Sequence, residues 1–140
     1  MKVHHIGYYV ENMLDSINSF LALGYEVSRP PLLDEGRNVR IAFLKLGNCC
    51  VELIEPLEEC DLFPKKMRKI GTTPYHICYE TNDIDASLQE LQHKGYVLLR
   101  DVEPAPALDG CKVAFLYSIG TGQIELVEQG RNDNKNVIYL

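Results

Sequence analysis

A basic excess is the first thing this sequence lacks. Fourteen lysines and arginines stand against twenty aspartates and glutamates, a formal net charge of −6, so a surface that tracks nucleic-acid phosphates is not its main business. The one local exception is "KKMRK" at Lys65 to Lys69, which reads first as a solvated helix face and second as a partner for phosphate. No apolar stretch approaches the length of a bilayer span, and the start "MKVHHIGYYVEN" has no apolar core of signal-peptide length. Nor is there a disulfide framework: the five cysteines are odd in number, include the adjacent pair Cys49 and Cys50, and show no Cys-x-x-Cys spacing. The expectation is a protein of the reducing cytoplasm, with neither nucleic acid nor membrane as partner.

What the sequence does contain is itself, twice. His5, Ile6, Tyr8, Ser16, Gly24 and Tyr25 fall on His76, Ile77, Tyr79, Ser87, Gly95 and Tyr96 at a constant offset of 71 positions. Ala42, Phe43 and Leu44 then fall on Ala114, Phe115 and Leu116 at 72, and Glu52, Leu53 and Glu55 on Glu125, Leu126 and Glu128 at 73. A duplicated unit of half the chain is the economical explanation. With 140 residues, 46% of them apolar, there is material for one core, while two independent halves would each be marginal. One domain over residues 1–140 is therefore expected, its repeats sharing a sheet.

Within each repeat the hydrophobic period changes in the same order. Val3 to Val10 alternate as a strand. Asn12 and Asp83 then stand where helix N-caps belong, with Gly24 and Gly95 where the helices end. Ile84, Leu88 and Leu91 form the apolar stripe of the second helix. A short strand follows each glycine, then a proline-rich loop ("RPPLLDEG", "EPAPALDG") and two apolar runs spaced as a hairpin. The unit is strand, helix, three strands. Module one spans about 1–56, a linker with one short helix 57–73, module two about 74–129, and residues 130–140 form a tail ending in "VIYL".

Alternation assigns the faces. Ile6, Tyr8 and Val10 make the apolar side that takes the helix, leaving His5 with Gly7 and Tyr9 on the other. Cys50, Glu52 and Ile54 share a face, as do Glu125 and Val127, so each module's last strand aims a carboxylate inward. Two modules about a pseudo-two-fold axis would bring His5, Glu52, His76 and Glu125 into one cleft. Two neutral imidazoles and two carboxylates carry a charge of −2, which cancels a divalent cation. Four protein ligands on an octahedral ion leave positions for water or substrate, as catalysis requires. His4 and His93 lack histidine equivalents in the repeat and are read as structural.

"HHIGYYV", "VRIAFLKLGNCCVELIEPL", "PYHICYETNDIDASLQELQHKGY" and "GQIELVE" resemble the vicinal oxygen chelate superfamily of glyoxalases, epimerases, extradiol dioxygenases and antibiotic-binding proteins. The resemblance implies an α+β fold, with two tandem βαβββ modules forming a curved eight-stranded mixed sheet around a central metal cleft. It also implies one divalent metal ion per chain (Co, Ni, Mn, Zn or Fe) on His5, Glu52, His76 and Glu125. Within the superfamily the wording is most similar to methylmalonyl-CoA epimerases. It differs from them in having Tyr75 before His76 where a second histidine is usual, and "YSI" at Tyr117 to Ile119 where "HPK" is usual.

The resemblance implies an isomerase or lyase that removes a proton next to a carbonyl, acting on an acyl-CoA or acyl thioester, with Glu52 and Glu125 as proton carriers. A glyoxalase I-type lactoylglutathione lyase acting on a thiol adduct is the alternative, although the "FY" usual in its first helix is replaced by "SFLALGY". An extradiol-type dioxygenase fits less well, because Glu52 fills a position that oxygen chemistry needs; a metal-free binding or resistance protein is the remaining class. Lys65 and Lys66 are the candidate contacts for CoA phosphates. Edge strands and the "VIYL" tail, together with the resemblance, point to a homodimer.

Overall fold

The computed structural model describes residues 1–58, 60 and 62–129; the "VIYL" tail lies outside them. The first repeat forms β1 (Lys2–Tyr9), α1 (Met13–Ala22), β2 (Glu26–Asp34), β3 (Val39–Leu46) and β4 (Cys49–Pro56). The linker carries α2 (Lys65–Ile70), and the second repeat forms β5 (Thr73–Thr81), α3 (Ile84–His93), β6 (Val97–Ala105), a 3-10 turn at Pro106–Leu108, β7 (Cys111–Ser118) and β8 (Gly122–Glu128). All eight strands lie in one sheet, ordered β2-β3-β4-β1-β5-β8-β7-β6. This is the α+β fold of two βαβββ modules that the sequence implied. The modules meet in the middle, where β1 and β5 run antiparallel, each with its own last strand parallel on its other side.

Each helix is fixed by the same devices. Asn12 Oδ1 accepts the Asp15 N–H at 3.0 Å and Asp83 Oδ1 accepts that of Ala86 at 3.0 Å, satisfying first-turn donors that the helix cannot. Glu55 then accepts the Met13 N–H at 2.6 Å and Glu128 that of Ile84 at 3.0 Å. A carboxylate on the last strand thus holds each helix by its positive end. Gly24 and Gly95 take φ of 100° and 99° just past the helix ends, where a side chain would be strained.

The convex face buries Val10, Met13, Ile17, Leu44 and Leu53 under α1, and Ile84, Leu88, Leu116 and Leu126 under α3. A third core lies on the concave face and joins both modules through Ile41, Phe43, Ile54, Cys78, Leu108, Val113 and Val127. One expectation is corrected here. The proline-rich segments are largely strand: β2 runs through Pro30 and Pro31, and β6 through Pro104. Both are edge strands, where a missing N–H leaves no broken ladder bond if it faces away from the sheet.

The two edges come back towards each other across the cup. Arg37, only 11% exposed in its side chain, reaches Asp34 at 2.8 Å and Glu103 of β6 at 3.0 Å. Arg29 of β2 donates to Asp109 at 2.9 Å and to the Ala107 carbonyl at 3.3 Å. Ala107 and Leu108 of the 3-10 turn are buried in the concave core. These contacts join the two ends of the sheet, module one to module two.

Candidate metal centre

The four sequence-selected residues arrive on the four central strands: His5 on β1, Glu52 on β4, His76 on β5 and Glu125 on β8. Their convergence follows from register. Gly7 pairs laterally with Glu52 on one side and His76 on the other, while Cys78 pairs with His5 and with Glu125. Laterally paired residues share a face, so two adjacent rows aim all four side chains into the cup. Each is at least 95% buried, and one ligand atom from each lies within 4.8 Å of the other three.

Gly7, which sequence reasoning passed over, is what makes room. A Cβ there would overlap the His76 imidazole, so the ring lies flat across the glycine backbone. The equivalent position in module two is Cys78, fully buried below His5, its thiol held protonated by burial and by the Glu125 and Glu52 carboxylates.

His5 Nε2 stands 3.1 Å from Glu125 Oε1, 3.5 Å from Glu52 Oε1 and 3.3 Å from His76 Nε2. His76 Nε2 stands 3.2 Å from Glu125 Oε1 and 3.7 Å from Glu52 Oε1. Despite these distances Glu125 Oε1 accepts no aligned hydrogen bond, and His76 Nδ1 likewise is buried without a partner. Buried polar atoms are seldom left so. Nitrogen and oxygen atoms aimed at a common point, with their own hydrogen bonding incomplete, are what a cation satisfies, and the donor set fits a divalent ion. In the metal-free protein protons do part of that work. Burial alone would lower the His5 pKa, but Glu52 and Glu125 overcome it and push it up to about 10. Burial likewise opposes ionisation of Glu125, yet the His5 and His76 imidazoles hold its carboxyl well below the usual range.

Two β-bulges sit at equivalent positions beside the ligands. Between Val3 and His5, and between His76 and Pro74, one strand advances two residues while its partner advances one, making His4 and Tyr75 the extra residues. Both rings turn into the cup. Tyr75 packs on His76 with centroids 4.4 Å apart and on Phe63 at 5.1 Å, and His4 Nδ1 lies 2.7 Å from His5 Nδ1. His4 is therefore not the plain structural residue that the repeat suggested; strict alternation would have put it on the helix side. His93 is exposed at the end of α3.

Beside the centre, Leu62, Phe63, Tyr75, Leu99, Arg100, Phe115 and Gln123 line a cavity of about 380 Å³ on the module-two side. Lys65 and Lys66 are exposed on α2, outside the four-residue cluster, beginning two residues after Phe63 of the cavity wall. No helix among the described residues is long and apolar enough to cross a membrane.

A cup of paired βαβββ modules with two histidines and two glutamates at its floor defines a class of proteins that could hold a cation beside an open cavity. The model of the glyoxalase/bleomycin resistance protein/dioxygenase superfamily matches residues 4–115, and the chain belongs to that superfamily. It is 31% identical over 133 residues to the mitochondrial methylmalonyl-CoA epimerase of Bos taurus, covering 91% of this chain and 72% of that one. To the ethylmalonyl-CoA/methylmalonyl-CoA epimerase of Cereibacter sphaeroides it is 35% identical over 97 residues, covering 68% and 71%. Among solved structures, a substituted methylmalonyl-CoA epimerase of Streptomyces coelicolor in complex with 2-nitronate-propionyl-CoA is similar at a TM-score of 0.78 and 28% identity, over 92% of this chain and 97% of that one.

Proposed function

We propose that this protein is a metal-dependent epimerase that removes and returns the proton on the carbon next to the carbonyl of an acyl-CoA or related acyl thioester. The observation that carries the reading is the convergence of His5, Glu52, His76 and Glu125 beside a cavity of mixed polar and apolar lining, in a relative of CoA-ester epimerases. These four residues would hold one divalent ion, drawn from Co, Ni, Mn, Zn and Fe. When bound, such an ion supplies a Lewis acid for the substrate's carbonyl oxygen.

The proton work falls to the chain's own carboxylates. Glu52 and Glu125 come from opposite modules, so one can take the proton and the other return one from the opposite face of the carbon. Leu62, Phe63 and Phe115 would help to keep the acyl group away from bulk water. Return of the proton to the adjacent carbon instead would be the lyase outcome of a glyoxalase. The fold would work as a homodimer, and its five free cysteines suit a reducing cytoplasm.

Metal analysis followed by NMR in D₂O, on a panel of acyl-CoAs and glutathione hemithioacetals, tests the proposal. Deuterium entering the α-carbon of an acyl-CoA only when metal is present is the expected result. Conversion of hemithioacetals alone would move the protein to the lyase class, and a folded protein that takes up no metal would remove both readings.

A further inference from the structure

We propose that His4 is a positioning residue for the metal centre: it accepts a hydrogen bond from His5 Nδ1–H and so fixes Nε2 as the nitrogen that faces the metal. The inference rests on the four-residue metal centre of the proposed function and adds to it a residue that touches neither metal nor substrate.

Geometry gives the argument. The two Nδ1 atoms are 2.7 Å apart with the rings nearly perpendicular, at an interplanar angle of 82°. At that separation one nitrogen carries a proton and the other presents a lone pair. The opposite nitrogen of His5 is the atom nearest both carboxylates and His76 Nε2, so its lone pair is needed for a metal ion. A neutral ring with a free Nε2 carries its proton on Nδ1, and His4 must then be the acceptor. The bulge turns His4 inward, and its T-shaped contact with Phe43, at 6.5 Å between centroids, holds it there. Module two has no such device. Its bulge residue is Tyr75, and His76 Nδ1 is buried without a partner, so packing on Tyr75, Phe115 and the Gly7 backbone must orient that ring instead.

The test measures metal affinity by competition between Co²⁺ and a chelator, with no substrate present. His4→Phe keeps an aromatic ring beside Phe43 and removes the acceptor; His4→Gln keeps an acceptor oxygen. Loss of such a partner is expected to weaken Co²⁺ binding by about 10- to 100-fold in His4→Phe, with most of the loss recovered in His4→Gln. The far-UV CD spectra of the metal-free variants should match the wild type. In the wild-type Zn²⁺-loaded protein, imidazole ¹⁵N NMR should show His5 protonated at Nδ1 and His4 unprotonated there. Wild-type affinity in His4→Phe, or a His5 ring with its proton on Nε2, would overturn the proposal; should His4→Phe fail to fold, the wild-type spectrum decides. Absent α-proton exchange on acyl-CoA would sink the epimerase reading and leave this one standing.

Discussion

A single missing methyl group decides where His76 can lie. Because a Cβ on Gly7 would overlap the imidazole, Gly7→Ala should push the ring out of the cluster while leaving the strand ladder intact. The expected result is a loss of Co²⁺ affinity of about tenfold or more, with an unchanged far-UV CD spectrum. The same cluster sets a pH dependence. His5 is raised from 6.5 to about 10 in the metal-free fold, so its protonated form adds stability in full below pH 6.5, and that stability is lost as the pH rises through 10. Melting temperatures of the EDTA-treated protein should fall over that window, and Co²⁺ binding, which must displace the proton, should release acid. A flat melting profile between pH 6.5 and 10 would show that His5 is not protonated in the free site. His5, Glu52, His76 and Glu125 were legible in the sequence because the repeat marks equivalent positions. Gly7 and His4 were not: one acts through an atom it lacks, the other through a bulge that alternation does not reveal.

Among the elements, strands and helices followed their sequence periods closely, down to the Asn12 and Asp83 caps. The proline-rich segments did not read as strand, since proline's usual meaning in a ladder changes at an edge. That β2 and β6 are edges is a property of the whole sheet, absent from any local window. The linker helix was foreseen, and its role can be measured. If Lys65 and Lys66 meet the phosphates of a CoA ester at the cavity rim, changing both to alanine should raise KM by about fivefold with kcat nearly constant. Contacts of this kind are present in ground and transition states alike, and added salt should shrink the effect. An unchanged KM at low ionic strength would remove α2 from the binding site.

At the scale of the whole molecule, the edge strands expose Val27, Leu32 and Leu33 on β2 and Val97 and Leu99 on β6. Covering such edges is the reason to expect a homodimer. Light scattering at micromolar concentration should report twice the 15.9 kDa chain mass, and a monomer mass would end that expectation. The placement of the cavity to one side of the metal centre carries a further consequence. Glu52 and Glu125 are related by the pseudo-two-fold axis, but the cavity beside them is walled by linker and module-two residues alone. If the protein is an epimerase, two mirror-image acyl groups in that cavity would meet different walls and differ in KM. Their ratio of kcat/KM, however, is tied to the equilibrium constant between epimers, which lies close to one when the other stereocentres are remote. The form held more tightly would then turn over more slowly in the same proportion, a kinetic compensation that the equilibrium between epimers imposes on a one-sided cavity.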